Sequence, residues 1–437
     1  MSEWVESPLG QIADLAIGGT PARHETRFWA IDGDEGLPWV SIADLRAGRV
    51  FETSETITRA GAMNSNVKEV PSGTILMSFK LTIGEVAIAE RNLYTNEAIV
   101  AVSPKSPDID KRFLFHTLPT AAKASVAETA IKGATLNKKK LATIPIRHHP
   151  NVNAQAKVAS VLDAIDSQIE ATEALIAKQE RLRAGLMRDL FTRGVDENDE
   201  LRPARDEAPQ LYHETELGWL PKGWAAKSVS DCVDSISDGP FGSNLKSEHY
   251  VTEPGVRVIR LQNIQTGFFD ATDQAFVSDD HARYLARFEV RPNDVLIASL
   301  GDDRFEAGRA CLYPDGLGPA INKADCFRAR AAQDVVSPYF LMCALNSEHA
   351  RKGKLRLVQG VTRQRINTGN YRALVLPIPD PRSNEQSQIV RLLQKAEVAQ
   401  NEALDALLEL RRLKSGLMQD LLTGMVSVEP LLEKEPA

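Results

Sequence analysis

Cysteine is scarce in this chain of 437 residues, and its four copies are widely spaced. All of them lie in the second half of the sequence, at Cys232, Cys311, Cys326 and Cys343. Disulfide frameworks and zinc sites need cysteines at short, paired spacings, which this pattern does not provide. The sequence therefore favours four buried free thiols.

Long apolar runs are also missing. No stretch approaches the roughly 18 to 20 consecutive apolar residues of a membrane-spanning helix. The first residues do not combine a basic region with an apolar run, as a secretory leader does. We expect a cytoplasmic protein that has no membrane partner.

The sequence lacks the motifs of the common catalytic sites. It has no phosphate-binding GxxxxGK motif, no dinucleotide-binding GxGxxG after a strand, no HExxH and no paired CxxC. The methyltransferase tetrapeptide, Asp or Asn followed by Pro-Pro and then Tyr or Phe, is absent too. We therefore expect a chain that is not an enzyme and that holds no metal or cofactor.

Positive charge is unevenly distributed along the chain. The net charge of −7 weighs against nucleic-acid binding, but a net value hides local runs. Residues 123–147 hold six basic side chains against Glu128 alone, and residues 351–372 hold seven with no acidic one. Each run precedes one copy of a repeated segment. Because the two basic runs occupy equivalent positions before the repeat, they favour a shared role in binding over two unrelated, solvent-exposed charged surfaces.

The most informative feature present is a long internal repeat. Residues 150–195 and 381–426 align without a gap. The shared positions are Arg181-Leu182, Gly185-Leu186-Met187, Asp189-Leu190, Thr192 and Val195, against Arg412-Leu413, Gly416-Leu417-Met418, Asp420-Leu421, Thr423 and Val426. A repeat of this length predicts pseudo-two-fold architecture with two related surfaces.

Both copies of the repeat have helical periodicity. Apolar residues recur every three or four positions, and the resulting stripes include Val158, Leu175, Leu182 and Leu190 in the first copy and Ile389, Leu413 and Leu421 in the second. Asn153 and Asn384 are the expected N-caps, and Gly194 and Gly424 the expected ends. Each helix would have about 40 residues and a length of about 60 Å. We expect the two helices to pair as an antiparallel coiled coil; packing of each helix on its own domain is the alternative.

Two globular segments of similar plan accompany the helices. Short or alternating apolar runs bounded by Gly, Pro, Asn and Asp predict strands in both, with helices near 113–126 and 338–351. We expect an α+β fold with two tandem globular α/β domains, residues 1–149 and 219–380. The long helices at 150–195 and 381–426, an exposed linker at 196–218 and a tail at 427–437 complete the predicted organisation.

A family resemblance covers the chain from Trp4 to Val426. Gly18-Gly19-Thr20-Pro21, Phe28-Trp29 and Pro38-Trp39-Val40 look like the opening of a target recognition domain from the specificity subunit of a type I restriction-modification system. Further similar segments are 191–195, 216–224, 238–246 and 360–362. The second half departs from the pattern at Gly301-Asp302-Asp303-Arg304, where its loop is longer than the one at Thr82-Ile83-Gly84. The different loops suggest that the two halves read different DNA sequences.

The resemblance implies a DNA-recognition subunit without activity of its own. In such a complex, each domain reads one half of a bipartite, asymmetric site on double-stranded DNA, and the helices set the spacing. The implied partners are two adenine methyltransferase subunits, which use S-adenosylmethionine, and translocating nuclease subunits, which use ATP and Mg²⁺. The alternative is a coiled-coil scaffold with protein-binding globular ends; it predicts no salt-dependent affinity for DNA.

Basic and amide side chains are the candidates for contact with phosphates and base edges. The candidates are Arg23, Lys80, Thr135, Lys138, Lys139 and Lys140 in the first domain and Asn244, Lys246, Arg260, Arg363, Gln364 and Arg365 in the second. Gly133 and Gly360 would allow close approach to phosphate or would simply turn the chain. For the docking of partner subunits the candidates are Arg181, Arg183, Arg188 and Arg412.

Overall fold

The computed structural model describes residues 4–30, 36–130, 137–252, 255–360 and 363–432, except the side chains at 47, 126–130 and 431. The chain divides into two compact units. Unit 1 comprises Met1–Ala174 and Leu404–Ala437, and unit 2 comprises Leu175–Ala403. Each unit therefore holds one globular domain together with part of each copy of the repeat.

The globular domain of unit 1 combines short strands with a few helices. Its strands are β1 Val5–Pro8, β2 Ala13–Ile17, β3 Leu37–Val40, β4 Arg49–Val50, β5 Glu55–Ile57, β6 Glu69–Val70, β7 Ile75–Ser78, β8 Val86–Ala89, β9 Leu93–Thr95, β10 Ile99–Pro104 and β11 Pro145–His148. Its helices are α1 Leu9–Ile12, α2 Arg59–Met63, α3 Lys111–Ala130 and α4 Lys138–Ala142, and the long helix α5 Val152–Arg193 follows.

The described strands of this domain form three sheets. A five-stranded sheet has the order β2-β10-β7-β8-β4, a four-stranded sheet has the order β5-β3-β9-β6, and β1 pairs with β11. Successive residues of a strand point to opposite faces, so the apolar run of β7 is buried on both sides. Ile75 and Met77 pack with Leu114 of α3, whereas Leu76 packs with Val40 of β3.

Unit 2 repeats this plan with longer loops. Its strands are β12 Tyr212–Thr215, β13 Gly218–Pro221, β14 Trp224–Ser228, β15 Val233–Ser237, β16 Tyr250–Val251, β17 Val256–Ile259, β18 Phe276–Val277, β19 Glu289–Val290, β20 Val295–Ala298, β21 Leu300–Gly301, β22 Arg309–Leu312, β23 Ala320–Asn322, β24 Cys326–Ala331, β25 Gln364–Arg365 and β26 Val375–Pro379. Its helices are α6 Asp279–Tyr284, α7 Pro338–Asn346, α8 Glu348–Leu357, α9 Thr368–Arg372 and α10 Glu385–Leu422, and α11 Glu429–Leu432 belongs to unit 1.

The sheets of unit 2 correspond to those of unit 1. The order β15-β24-β20-β22 matches β2-β10-β7-β8, the order β16-β18-β17-β23-β19 contains a match to β5-β3-β9-β6, and β14 pairs with β26 as β1 does with β11. Val295 and Ile297 pack with Phe340 of α7, and Leu296 packs with Ile259 of β17. The expected α+β fold with two tandem domains is confirmed.

The two long helices run antiparallel within each unit. In unit 1, Val158 and Leu162 near the start of α5 pack with Leu421 near the end of α10. In unit 2, the start of α10 packs with the end of α5, and Ile389 and Leu190 share one core. Because the apolar stripes meet in this way in both units, the prediction of an antiparallel coiled coil is confirmed.

The stripes are not buried along their whole length. Leu175, Leu182 and Leu413 are 47%, 61% and 50% exposed. The expected cap of α5 was wrong by two residues. The side chain of Asn151, not Asn153, caps the helix, since it accepts the N–H of Asn153 at 2.9 Å.

The acidic segment after α5 is a fixed turn. The N–H of Asp196 donates to the Glu200 carbonyl at 2.9 Å. Two side chains of α10 hold the turn in place: Gln388 donates to the Asp196 carbonyl at 3.0 Å, and Arg391 donates to the Asp199 carboxylate at 2.7 Å. The predicted linker thus begins as an ordered part of unit 2.

The four cysteines are buried and free, as the sequence predicts. Burial raises the thiol pKa of Cys232, Cys311 and Cys343 to about 12, so these thiols are unreactive near neutral pH. Among the described residues, no three potential ligand side chains are grouped to hold a metal. In the same part of the chain, no helix has the length and apolarity required to cross a membrane.

Candidate nucleic-acid interface

The first candidate site begins where β2 ends. The N–H of Gly18 donates to the Ile99 carbonyl at 3.3 Å, and the N–H of Gly19 donates to the Thr95 carbonyl at 2.9 Å. A Cβ on Gly18 would collide with the carbonyl oxygen of Thr95, so glycine is required for this close approach. The loop after β2 is thereby held against the turn after β9.

Arg23 lies on this loop with its guanidinium fixed in orientation. The guanidinium stacks 3.9 Å from the centre of the Trp29 ring and 4.9 Å from that of Trp39. Both of its terminal nitrogens donate to Glu55, and this hydrogen bonding is the main cause that raises the pKa of Arg23. The side chain remains 55% exposed. Arg23 is therefore a rigid cation at the surface, a property suited to phosphate contact.

A single carboxylate connects Arg23 with Lys80. The Thr20 hydroxyl donates to Glu97, and this bond is the main cause that lowers the pKa of Glu97. The positive charges of Lys80 and Arg23 lower it further. Two of the sequence-predicted residues are thus brought to the same end of the unit 1 sheet.

The hairpin between β7 and β8 carries Lys80 and Leu81 at its tip. The fully buried Ser78 hydroxyl donates to the Thr82 carbonyl and accepts the Glu85 N–H at 3.1 Å. The N–H of Gly84 donates to the Ser78 carbonyl at 2.9 Å. These bonds hold a tip whose residues 80–82 are all exposed.

Lys138, Lys139 and Lys140 belong to a different part of unit 1. They form the first turn of α4, where Asn137 caps the helix by accepting the N–H of Lys140 at 3.1 Å. This helix packs on α1, which precedes β2, whereas the site around Gly18 follows β2. The three lysines are thus at the other end of that strand from Arg23. Thr135, the remaining candidate of this domain, and Gly133 lie outside the described residues.

Unit 2 has a corresponding site where β15 ends. A Cβ on Gly239 would collide with backbone atoms of Lys323, in the turn after β23. The Asp238 carboxylate accepts the N–H groups of Gly239 at 2.7 Å and of Asp325 at 2.8 Å. Burial raises the pKa of Asp238 to about 6. The same loop and turn are thus present in both units, with different side chains.

Arg365, one of the predicted contacts, lies at this second site. Its guanidinium donates to Asp325 at 2.7 Å, and its side chain is 51% exposed. Gln364 is in β25, paired with Gly301 of the β20–β22 hairpin. Arg363 is exposed beside Gly360, whose φ of +90° only glycine adopts readily. The structure therefore places Arg363, Gln364 and Arg365 beside the hairpin that corresponds to β7–β8.

Asn244 and Lys246 lie beside a group of aromatic and histidine rings. The carbonyl of Asn244 is 2.9 Å from Nε2 of His281, and its side chain accepts the Tyr284 hydroxyl at 3.4 Å. The backbone N–H of Lys246 donates to His249, whose ring lies 4.2 Å from that of His281. Tyr284 is 71% exposed, which makes this group accessible.

Two predicted residues are engaged within unit 2. The Arg260 guanidinium donates to Asp273 with both Nε, at 2.7 Å, and a terminal nitrogen, and its side chain is only 25% exposed. Arg183, predicted to bind a partner, faces Glu397 of α10 at 4.0 Å and is 30% exposed. Their charges are already partnered inside the protein.

The other predicted partner contacts are on the surface of the long helices. Arg181 is exposed and bonds to the Ala177 carbonyl of its own helix at 3.2 Å. Arg188 and Arg412 are 63% and 75% exposed, and each pairs with a carboxylate on its own helix. These three remain accessible to a partner.

Sequence reasoning missed three features of the first site. Trp29 and Trp39 were part of the family resemblance, but their stacking with Arg23 was not foreseen; an arginine near two tryptophans was the available signal. Glu97 had no local pattern that marked it. Leu81 gave no signal either, because an isolated leucine in a loop is common.

Comparison with known proteins gives a consistent picture. Residues 1–181 match the family model described as the type I restriction modification DNA specificity domain. The type I restriction enzyme MjaVIII specificity subunit of Methanocaldococcus jannaschii is 23% identical over 90% of this chain and 87% of its own length. The MjaIX specificity subunit of the same organism is 24% identical over 61% of this chain, and the match spans 59% of that relative.

One solved structure shows the same fold over nearly all of the chain. The crystal structure of a type I restriction-modification system S subunit from M. genitalium has a TM-score of 0.53 and 14% sequence identity to this chain. The match covers 96% of both chains.

Proposed function

Because this chain belongs to the specificity subunits of type I restriction-modification systems, we propose that its two globular domains each read one half of a bipartite, asymmetric DNA sequence. One observation carries this proposal. Both units present a glycine-containing loop, a turn and a hairpin at the same end of the same sheet, but the exposed side chains differ. A common frame with different side chains is what two readers of different sequences require.

The exposed groups of the two sites are suited to DNA. In unit 1, Arg23 and Lys80 are cations that contact phosphates or guanine edges well. In unit 2, Arg363 and Arg365 supply charge, and Asn244 supplies an amide of the kind that pairs with adenine. A partner with many phosphates also explains why basic groups gather here in a chain whose net charge is −7.

Catalysis is assigned to partner subunits rather than to this chain. On this proposal, S-adenosylmethionine is used by two adenine methyltransferase subunits, and ATP and Mg²⁺ are used by nuclease subunits. The specificity subunit selects where they act.

The long helices supply the spacing and a docking surface. Helices of 42 and 38 residues are about 63 and 57 Å long, enough to set a gap between two half-sites. Leu182 and Leu413, equivalent in the repeat, are 61% and 50% exposed. Gly185 and Gly416 lie one turn further on, and a Cβ at either would touch nothing within 4 Å.

These repeated positions support docking of the same partner twice. Glycine in a helix interior destabilises it by about 1 kcal/mol relative to alanine, and here no atom of the described residues lies close enough to require it. Close packing of a helix from another subunit explains the glycine at each position, because a side chain there would keep the two helices apart. The same helix would cover the exposed leucine. Two equivalent patches then bind two methyltransferase subunits.

Methylation sequencing of host DNA tests the proposed function. We expect that deletion of the gene removes one bipartite adenine-methylated motif and that the restored gene returns it. The motif itself gives the two half-sites and their gap. An unchanged methylome, in cells that demonstrably express the companion methyltransferase, would contradict sequence specification and favour a scaffold.

A further inference from the structure

Leu81 combines two unfavourable properties in one residue. Its side chain is 91% exposed, the highest value among the exposed large apolar residues of the described chain. Its backbone has a φ of +60°, in the left-handed region that side chains disfavour. The other non-glycine residues described with positive φ are Asp199, Asn293 and Asp325, of the types that tolerate this conformation. Leu81 is the apolar exception.

The hairpin holds Leu81 in this conformation rigidly. The buried Ser78 hydroxyl bridges the Thr82 carbonyl and the Glu85 N–H across the base of the tip. Phe79, only 3% exposed, donates its N–H to the Ala98 carbonyl at 3.0 Å. An exposed leucine on a mobile loop would need no explanation. Here, however, buried hydrogen bonds at the base of the hairpin fix the tip so that the Leu81 side chain stays exposed to solvent. Strain maintained in this way is typical of functional positions.

Two lysines lie on or against the hairpin that carries the exposed leucine. Lys80 precedes it and is exposed, and its charge acts on Glu97 together with that of Arg23. Lys123 of α3, also exposed, lies against the same hairpin, since a Cβ at Gly84 would be 3.4 Å from its Cγ. An apolar tip bordered by cations is complementary to a polyanion with an apolar interior. Stacked DNA has this character, because phosphates flank base pairs whose faces are apolar.

We propose that Leu81 is a wedge that inserts between two base pairs of the half-site read by unit 1. This inference rests on the proposed function and adds a residue and a mode of recognition to it. A rigid apolar side chain that enters a base step unstacks it partly and bends the duplex. Such a step is read through its deformability, which favours flexible pyrimidine–purine steps without a hydrogen bond to either base. Lys80 contacts the adjoining phosphate.

Fluorescence of 2-aminopurine tests this proposal in the complex assembled with the methyltransferase subunits. The probe is placed at successive steps of the first half-site away from the methylated adenine, because the methyltransferase itself takes that base out of the stack. The duplexes carry the motif obtained from methylation sequencing. We expect an increase of several-fold in fluorescence at one step upon binding, since unstacking relieves quenching. Leu81→Gly removes the wedge and accepts the left-handed backbone, so it should abolish this increase and weaken specific binding at least tenfold.

Matched variants separate the wedge from other effects. Leu81→Met should retain the fluorescence change, and Met63→Ser, which alters a 79% exposed apolar residue of the same unit, should leave it unaltered. Lys80→Gln should weaken binding to all sequences and reduce the salt dependence by about one phosphate contact. Leu81→Gly should melt no earlier than the unaltered protein, because glycine relieves the backbone.

The outcomes distinguish this inference from the proposed function. If the complex binds its motif specifically but no base step gains fluorescence, Leu81 does not insert into the duplex. The same conclusion follows if Leu81→Gly leaves the fluorescence increase intact. In both cases the proposed sequence recognition is unaffected. Failure of the unaltered complex to prefer its motif overturns both. Loss of a methyltransferase subunit from the complex upon Leu81→Gly would instead identify the tip as a protein contact and overturn the wedge.

Discussion

The carboxylate of Asp166 on α5 pairs with the ammonium of Lys414 on α10 at 2.5 Å. In unit 2, Glu397 of α10 faces Arg183 of α5 at 4.0 Å. The two pairs are equivalent in the repeat, because Asp166 and Glu397 are separated by 231 positions, as are Arg183 and Lys414. Each helix thus supplies the acid in one unit and the base in the other. The two pairs set the antiparallel register and put Ala171 of α5 at about the level of Glu409 of α10.

Lengthening both helices at this register should lengthen the recognised gap. We expect that four residues inserted after Ala171, with four more after Glu409, add about 6 Å of helix and widen the gap by about two base pairs. Both half-sites should stay unchanged, because neither globular domain is altered. Methylation sequencing reports the new gap. A gap of the original length would contradict the role of the helices in spacing. The comparison variant has the insertion after Ala171 alone, which should disturb the pairing of α5 with α10.

Gly185 offers a test of the docking patch. Gly185→Ala should raise the free energy of unfolding by about 0.5 to 1 kcal/mol, because alanine favours helix and its Cβ meets no neighbour. Gly185→Leu should fold equally well but weaken assembly with the methyltransferase subunit at least tenfold, measured by calorimetric titration. Ala171→Leu, on the exposed surface of the same helix, is the control. Normal assembly of Gly185→Leu would exclude close approach of a partner at this glycine.

Asp238 should make the stability of unit 2 depend on pH. Burial raises the pKa of Asp238 from 3.8 to about 6, so the folded protein retains a proton that the unfolded chain has lost. Stability contributed by this group should therefore fall as pH rises from about 4 to about 6 and stay constant above that. Asp238→Asn keeps an oxygen that accepts both N–H groups. It should therefore remove this dependence of stability on pH and stabilise the protein at pH 7.5 by at most about 3 kcal/mol.

Urea denaturation at pH 5.0 and 7.5 measures the effect of Asp238→Asn. Asp234→Asn, at an exposed position on β15 shortly before Asp238, is the control and should leave the difference between the two pH values unaltered. If Asp238→Asn retains the full difference, another group is responsible for it.

Arg363 and Arg365 should affect one half-site only. We expect Arg363→Ala combined with Arg365→Ala to degrade one half of the methylated motif, since both residues lie at the unit 2 site. Arg351→Ala with Lys352→Ala is a matched control from the same basic run, because those residues already pair with Glu306 and Glu348, each at 2.7 Å. Equal loss at both half-sites would indicate general phosphate contact or misfolding.

The helices and the repeated fold were accessible from the sequence because their signals are local. Helical periodicity is read from residues three or four positions apart and needs no knowledge of distant residues, and Asn384 lies directly before α10 as predicted. Whether a basic side chain is free to contact DNA depends instead on residues that are distant in the sequence. The guanidinium of Arg260 is held by Asp273 and that of Arg183 faces Glu397, and nothing around these arginines in the sequence reveals either carboxylate.

Leu81 illustrates a second limit of the sequence. A left-handed residue is expected to be glycine, asparagine or aspartate, so a leucine gives no warning of that conformation. The conformation is imposed by the buried Ser78 hydroxyl and by the packing of Phe79, which depend on the assembled sheet. Residue type alone therefore predicted the basic neighbours of the tip but not the tip itself.

The division of the chain into units has a consequence for biosynthesis. Unit 2 is one continuous segment, but unit 1 needs residues 404–432, which pack on Val158, Leu162 and Trp4. At about 5 to 20 residues per second, the ribosome makes these residues roughly 10 to 50 s after Ala174. During that interval the first domain carries an unpaired helix with an apolar stripe. Unit 2 therefore completes its fold first, although its globular domain is translated second.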